Sequence, residues 1–144
     1  MIGHRITVFI RIGLGVIFLF SGVTKILDPS AFAEIVANYQ LVGPPLVCLT
    51  AIILPWIEAV CGVALIFGRY QNGASLLVCM MMVAFIGIGL FNSYRGLDIA
   101  CGCFSLSAKA PADVALNTLR NLVILAAGVW VLVVPNKLPR AMQE

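Results

Sequence analysis

The chain has 144 residues, 62% of them hydrophobic and only 10% charged, with a formal net charge of +3 and a mean hydropathy of +1.08. Soluble domains carry about 25% charged residues, so this composition excludes a water-facing globule and suits a single membrane domain over residues 1–144. The nine Lys and Arg are spread along the chain, which excludes the clustered basic surface of a nucleic-acid binder.

Four apolar runs follow one another. The first covers about 6–27 and carries Arg11 and Lys25; the second, 46–67, holds Pro55 and Glu58; the third, 74–91, has no charge; the fourth, 116–134, has Arg120 one turn in. Each is about 18–22 residues, against roughly 20 needed to cross about 30 Å of hydrocarbon. A bilayer core offers no water to backbone N–H and C=O groups, so each run is predicted to be a helix. The fold class expected is an all-α integral membrane protein, a bundle of four transmembrane helices. Ala31-Phe32-Ala33 has the form of a signal-peptide cleavage site, but the first run is longer than the 7–15 apolar residues of a signal peptide and is expected to be retained.

The connections differ. After the first span, Pro29 suits a first helical position, and Phe32, Ile35, Val36 and Tyr39 recur at helical spacing, which predicts a short surface helix. Gly43-Pro44-Pro45 breaks it, and Gly68 to Gly73 forms a tight turn. The long polar loop, 92–113, contains Cys101-Gly102-Cys103. With four spans, both termini share a side with the 68–73 turn. Raw Lys and Arg counts at the two faces are nearly level; the expectation adopted is a bacterial inner membrane, termini cytoplasmic and the cysteine loop periplasmic.

Of the five cysteines, Cys101 and Cys103 alone lie in a polar stretch. Residues i and i+2 reach disulfide distance if the backbone bends, which Gly102 permits. A small strained ring favours exchange over stapling, so this pair is the candidate catalytic dithiol; two free thiols or half of a metal site are the alternatives. A closed zinc site wants four ligands, and the single His4 is expected across the membrane, so no metal is predicted. Cys48, in the first turn of the second span, is a candidate third thiol or an inert residue. Cys61 and Cys79 read as packing residues.

Ionisable residues inside spans are functional candidates by default. Arg11, Gly15, Phe18, Gly22 and Lys25 share one helical face. Arg11 and Glu58 are expected to lie within roughly 6 Å in depth and to form an intramembrane ion pair. Lys25, Arg95 and Arg120 are expected at the outer face, where they would poise a thiolate, bind an anion, or simply snorkel.

Arg11…Gly15…Phe18…Ser21-Gly22…Lys25, followed by Leu54-Pro55-Trp56-Ile57-Glu58…Gly62, resembles the DoxX-like membrane proteins. Arg95-Gly96-Leu97-Asp98-Ile99-Ala100-Cys101-Gly102-Cys103-Phe104 narrows the resemblance to the MauE (methylamine utilisation) branch, with Ser105 where that family often has Gly. The resemblance implies a four-helix bacterial membrane protein that matures disulfide-rich periplasmic proteins beside a thioredoxin-like partner. The wider DoxX relatives imply a quinone-linked sulfur oxidoreductase subunit, with a quinone as candidate cofactor. The reading adopted is a membrane thiol-disulfide component with the lipid bilayer and a thioredoxin-like protein as partners. A homo-oligomer is a further expected partner state, and a non-catalytic docking subunit and, last, a small transporter using Arg11 and Glu58 are the alternatives.

Overall fold

A computed structural model describes residues 2–96 and 114–134. Within them the chain forms helices α1 (Ile2–Leu27), α2 (Pro29–Asn38), α3 (Pro44–Phe67), α4 (Gln71–Tyr94) and α5 (Val114–Val133), and no strand. All but α2 are long and apolar enough to cross a membrane. The protein is therefore an all-α, four-span membrane bundle with one short additional helix.

Local chemistry sets the helix ends. Asp28 caps α2: its Oδ1 accepts the Ala31 N–H at 3.1 Å and the Ser30 hydroxyl at 2.7 Å, and Pro29 takes the first helical position. These two hydrogen bonds hold the Asp28 carboxyl below its ordinary pKa. α3 starts behind Gly43 with two prolines in its first positions, where a missing N–H costs no helical bond. It ends on Gly68, whose φ of 72° is left-handed and open to glycine at little cost.

The four long helices close a ring, with α1 on α3, α3 on α4, α4 on α5 and α5 back on α1. The tightest seam is α1 against α3, which run antiparallel. A Cβ on Gly22 would come within 2.8 Å of the Pro55 carbonyl oxygen and the Ala59 nitrogen; one on Gly62 would lie 2.6 Å from the Leu19 nitrogen. Only glycine lets these backbones approach so closely, the usual device of membrane helix interfaces. The core between the four spans contains Leu14, Phe18, Cys61, Leu65, Val78, Met82, Ile124 and Val131. Phe9, Phe20, Trp56, Val60, Val83 and Val123 point outward and are exposed, a perimeter that only hydrocarbon solvates well.

Gly22 packs beside Pro55 and Ala59, and α1 ends at Leu27, so α3 runs past the end of α1 by roughly two turns. α2 covers that overhang. Its Phe32 and Val36 pack on Val47 and Ala51 of α3, and its Ile35 is fully buried.

Candidate functional site

The most polar feature of the interior lies on the α1–α3 seam. Nζ of Lys25 is 2.7 Å from both carboxylate oxygens of Glu58, and the two side chains are 1% and 2% exposed. The Ser21 hydroxyl donates to Oε2 of Glu58 at 3.2 Å. The Phe32 ring of α2 lies over the ammonium, 4.8 Å from nitrogen to ring centroid. Beside the cluster is a void of about 10 Å³ bounded by Ser21, Glu58 and Asn121 on its polar side and by Ile17, Phe18, Met82 and Ile124 elsewhere. That is about the space one water molecule needs.

The pairing follows from sequence and helix geometry. Ser21 and Lys25 are one turn apart, so they share a face. Side chains on a helix lean toward its N-terminus, which carries the lysine stem back to the level of Ser21, opposite Glu58. Pro55, buried one turn before Glu58, has no N–H to give the Ala51 carbonyl. An isolated ammonium and carboxylate would each be expensive in this setting, whereas paired and hydrogen-bonded they neutralise one another.

This corrects two expectations. The Arg11–Glu58 pair does not form, because the seam sets a different register: Gly15 packs on Gly62 and Ile66, and Arg11, one turn earlier, lies on Gly68. Arg11 is thus about ten residues out of step with Glu58, roughly 15 Å along the axis, and it donates instead to Oε1 of Gln71 at 3.0 Å. Lys25 likewise is not an outer-face cation available to a thiolate or anion. Its charge is matched by Glu58 beneath α2.

The remaining candidates divide by position. Arg95 is the C-cap of α4, exposed, with its guanidinium 5.7 Å from the Phe91 ring centroid. Arg120 is half-buried in the second turn of α5. Cys48 is exposed in the first turns of α3, at the same end of the bundle as Arg95. Cys101 and Cys103 lie outside the described residues. Cys61 and Cys79 are buried thiols, and Cys79 Sγ faces Gly128 across the α4–α5 seam. Among the described residues no group of His, Cys, Asp and Glu is arranged to hold a metal.

Sequence reasoning did not anticipate several polar residues that the fold buries, Ser21, Gln71 and Asn92 among them. Ser21 had a visible signal, its one-turn spacing from Lys25. Gln71 stood outside the apolar run and so was assigned to the turn. Asn92, 2% exposed near the end of α4, has no hydrogen bond to either side-chain amide atom from the described residues, and nothing in the sequence distinguished it from a loop residue.

Comparison with known proteins fits this architecture. The chain is 27% identical over 137 residues to methylamine utilization protein MauE of Paracoccus denitrificans, covering 94% of this chain and 73% of that protein. It is 25% identical over 131 residues to the protein of the same name from Methylophilus methylotrophus, covering 90% and 69% respectively. No solved structure matches. The family profile described as methylamine utilisation protein MauE matches residues 3–134, the whole bundle with its connecting loops, and the chain belongs to that family.

Proposed function

We propose that this multi-pass membrane protein of the MauE family is a thiol-disulfide component of the bacterial inner membrane, with Cys101 and Cys103 as its reactive pair. The observation that carries the reading is the position of the Cys-Gly-Cys segment. In the sequence it belongs to the connection between α4 and α5, and the described residue that opens this connection, Arg95, is exposed. A cation near a thiol stabilises the thiolate and raises the fraction able to react at neutral pH. Arg120 serves the same end from α5, and exposed Cys48 is the third thiol there.

In the exchange, a thiolate of the pair attacks a disulfide sulfur of a thioredoxin-like partner, and the partner's leaving thiolate takes up a proton. The second cysteine then attacks the mixed disulfide, releasing the partner as a dithiol and closing Cys101–Cys103. Two electrons pass to the partner; the reverse steps oxidise a partner dithiol, and the relative potentials set the direction. When the pair instead oxidises a partner dithiol, the Cys101–Cys103 dithiol left behind would give its two electrons and two protons to an oxidant of the membrane quinone class, which would leave as quinol while the disulfide re-forms.

Charge supports a periplasmic position for the pair. With Lys25 neutralised by Glu58, the described cations at the end bearing the α3–α4 turn are Arg5, Arg11 and Arg69, against Arg95 and Arg120 at the other, and in the sequence Lys137 and Arg140 follow α5 while Lys109 precedes it. The first end is the more basic and is assigned to the cytoplasm. The experiment is thiol trapping in native membranes with a membrane-impermeant reagent, repeated on Cys101→Ser, Cys103→Ser and Arg95→Gln. Labelling from outside, reversible titration and loss of partner oxidation in the serine variants are expected, with slower alkylation in Arg95→Gln. A pair that stays reduced, or is labelled from the cytoplasm alone, refutes the relay and favours a docking subunit.

A further inference from the structure

The α1–α3 seam leaves one buried charge unaccounted for. Arg11 is 8% exposed, and its guanidinium rests on Gly68 where a side-chain carbon would otherwise stand. Its Nη1 reaches a neutral amide, Gln71, and its Nε is buried without an acceptor among the described residues. Among the described residues the single salt bridge is Lys25–Glu58. The other described carboxylates, Asp28 and Glu34, belong to the α2 region at the opposite end of the bundle. Arg11 therefore has no counter-charge among the described residues.

What it points at makes the imbalance worse. Gln71 is the first residue of α4, a helix whose N-terminus has no side-chain cap and no acidic residue in its first turn. The leading N–H groups of a helix lack intrahelical acceptors and carry a partial positive charge. Arg69, exposed in the same turn, adds a third positive element. A guanidinium held against a helix N-terminus is repelled by it unless an anion is shared between them. Gly73 faces open space, so the first turn of α4 can be approached from outside.

Depth identifies the anion. The chain reverses direction between α3 and α4 within Gly68–Tyr70, so this turn marks the border of the apolar zone, the level at which headgroup phosphates begin. We propose that Arg11, Arg69 and the first turn of α4 form a binding site for a phosphate-type oxyanion, and that its occupant is the headgroup phosphate of an anionic lipid. The guanidinium fork and helix N–H groups together match phosphate oxygens in charge and direction. This site is at the opposite end of the bundle from the cysteine loop and does not rest on the thiol chemistry.

The test is native mass spectrometry of the full chain released from non-ionic detergent, with three probes: phosphatidylglycerol, phosphatidylcholine and inorganic phosphate. Phosphatidylglycerol should be retained at least about fivefold better than phosphatidylcholine, and Arg11→Gln and Arg69→Gln should each lower its retention about fivefold. Phosphatidylcholine retention should not change. Arg5→Gln, an exposed charge on α1 away from the turn, should leave phosphatidylglycerol retention as in the parent. If Arg11→Gln does not fold, Arg69→Gln on the exposed turn decides alone. Unchanged phosphatidylglycerol retention in the folded variants overturns the site, and equal losses in Arg5→Gln reduce it to diffuse surface attraction. Inorganic phosphate that competes as well as the lipid refutes the lipid as occupant.

Discussion

Removing either member of the Lys25–Glu58 pair should damage the bundle far more than removing both. The two side chains are 1% and 2% exposed, so no solvent screening softens the loss of a partner. Lys25→Met leaves the Glu58 carboxylate with the Ser21 hydroxyl in the interior, and Glu58→Leu leaves an ammonium beneath Phe32. Breaking a buried pair from one side costs about 3–5 kcal/mol, whereas replacing both ions by apolar residues of similar volume is often neutral or stabilising. The double variant Lys25→Met/Glu58→Leu should therefore be near the parent in stability, which makes the coupling energy, the sum of the two single losses, at least about 6 kcal/mol. The assay is equilibrium unfolding in mixed micelles titrated with a denaturing detergent, followed by the fluorescence of Trp56 and Trp130. Single-variant losses that add to within about 0.5 kcal/mol in the double variant would refute the pairing and the register that produces it.

The α1–α3 seam predicts opposite outcomes for two glycines of one helix. Gly22→Ala drives a carbon into the α3 backbone and should lower stability by about 1–3 kcal/mol, while Gly13→Ala meets nothing within 4 Å and should be neutral or slightly stabilising in the same micelle titration. At Asp28 the sign follows from a depressed folded pKa. The cap's contribution is complete above the ordinary carboxylate value of about 3.9 and is lost as pH falls through the lower folded value, so amide exchange at Ala31 and Phe32 should accelerate in that acid window; an Asp28→Asn chain showing the same acid response would disprove the assignment. Asn92→Leu replaces a buried amide that has no hydrogen bond among the described residues by an apolar group of similar size and should raise stability by about 1–3 kcal/mol; a fall would mean that the amide is satisfied when the protein is in its membrane.

The four spans were legible because hydrocarbon tolerates little else: long, predominantly apolar runs can hardly be anything but helices there. Helix α2 was legible too, since Pro29 and the spacing of Phe32, Ile35 and Val36 each act within a few residues, although the Asp28 cap was not read from the sequence. Partner choice across the seam was not. Depth arithmetic from the ends of each apolar run treated α1 and α3 as flush, whereas Gly15, Gly22 and Gly62 lock them in a stagger that puts Ser21 opposite Glu58. The stagger depends on backbone contact between residues about 40 apart, and hydropathy carries no trace of it. Gln71 was hidden for a related reason: a polar residue at the end of a span reads as turn until the fold supplies the arginine it faces. The dithiol segment was the clearest chemical signal in the sequence, yet it lies outside the described residues, so its role rests on position and chemistry.

The lysine and its carboxylate are 33 residues apart, and a ribosome adding about 5–20 residues each second makes them roughly 2–7 s apart. For that interval the first span must enter the bilayer with a bare ammonium. Lys25 stands two residues before the end of α1, near enough to the interface for its stem to lift the charge back toward water. A lysine at the level of Ser21 would have had no such refuge while waiting. The position that looks like an ordinary terminal anchor is thus also a waiting position, occupied until α3 arrives to draw the charge inward and α2 closes over it. Nascent chains halted before Glu58 emerges should expose Lys25 to amine-reactive reagents, and chains halted after α3 has entered should not.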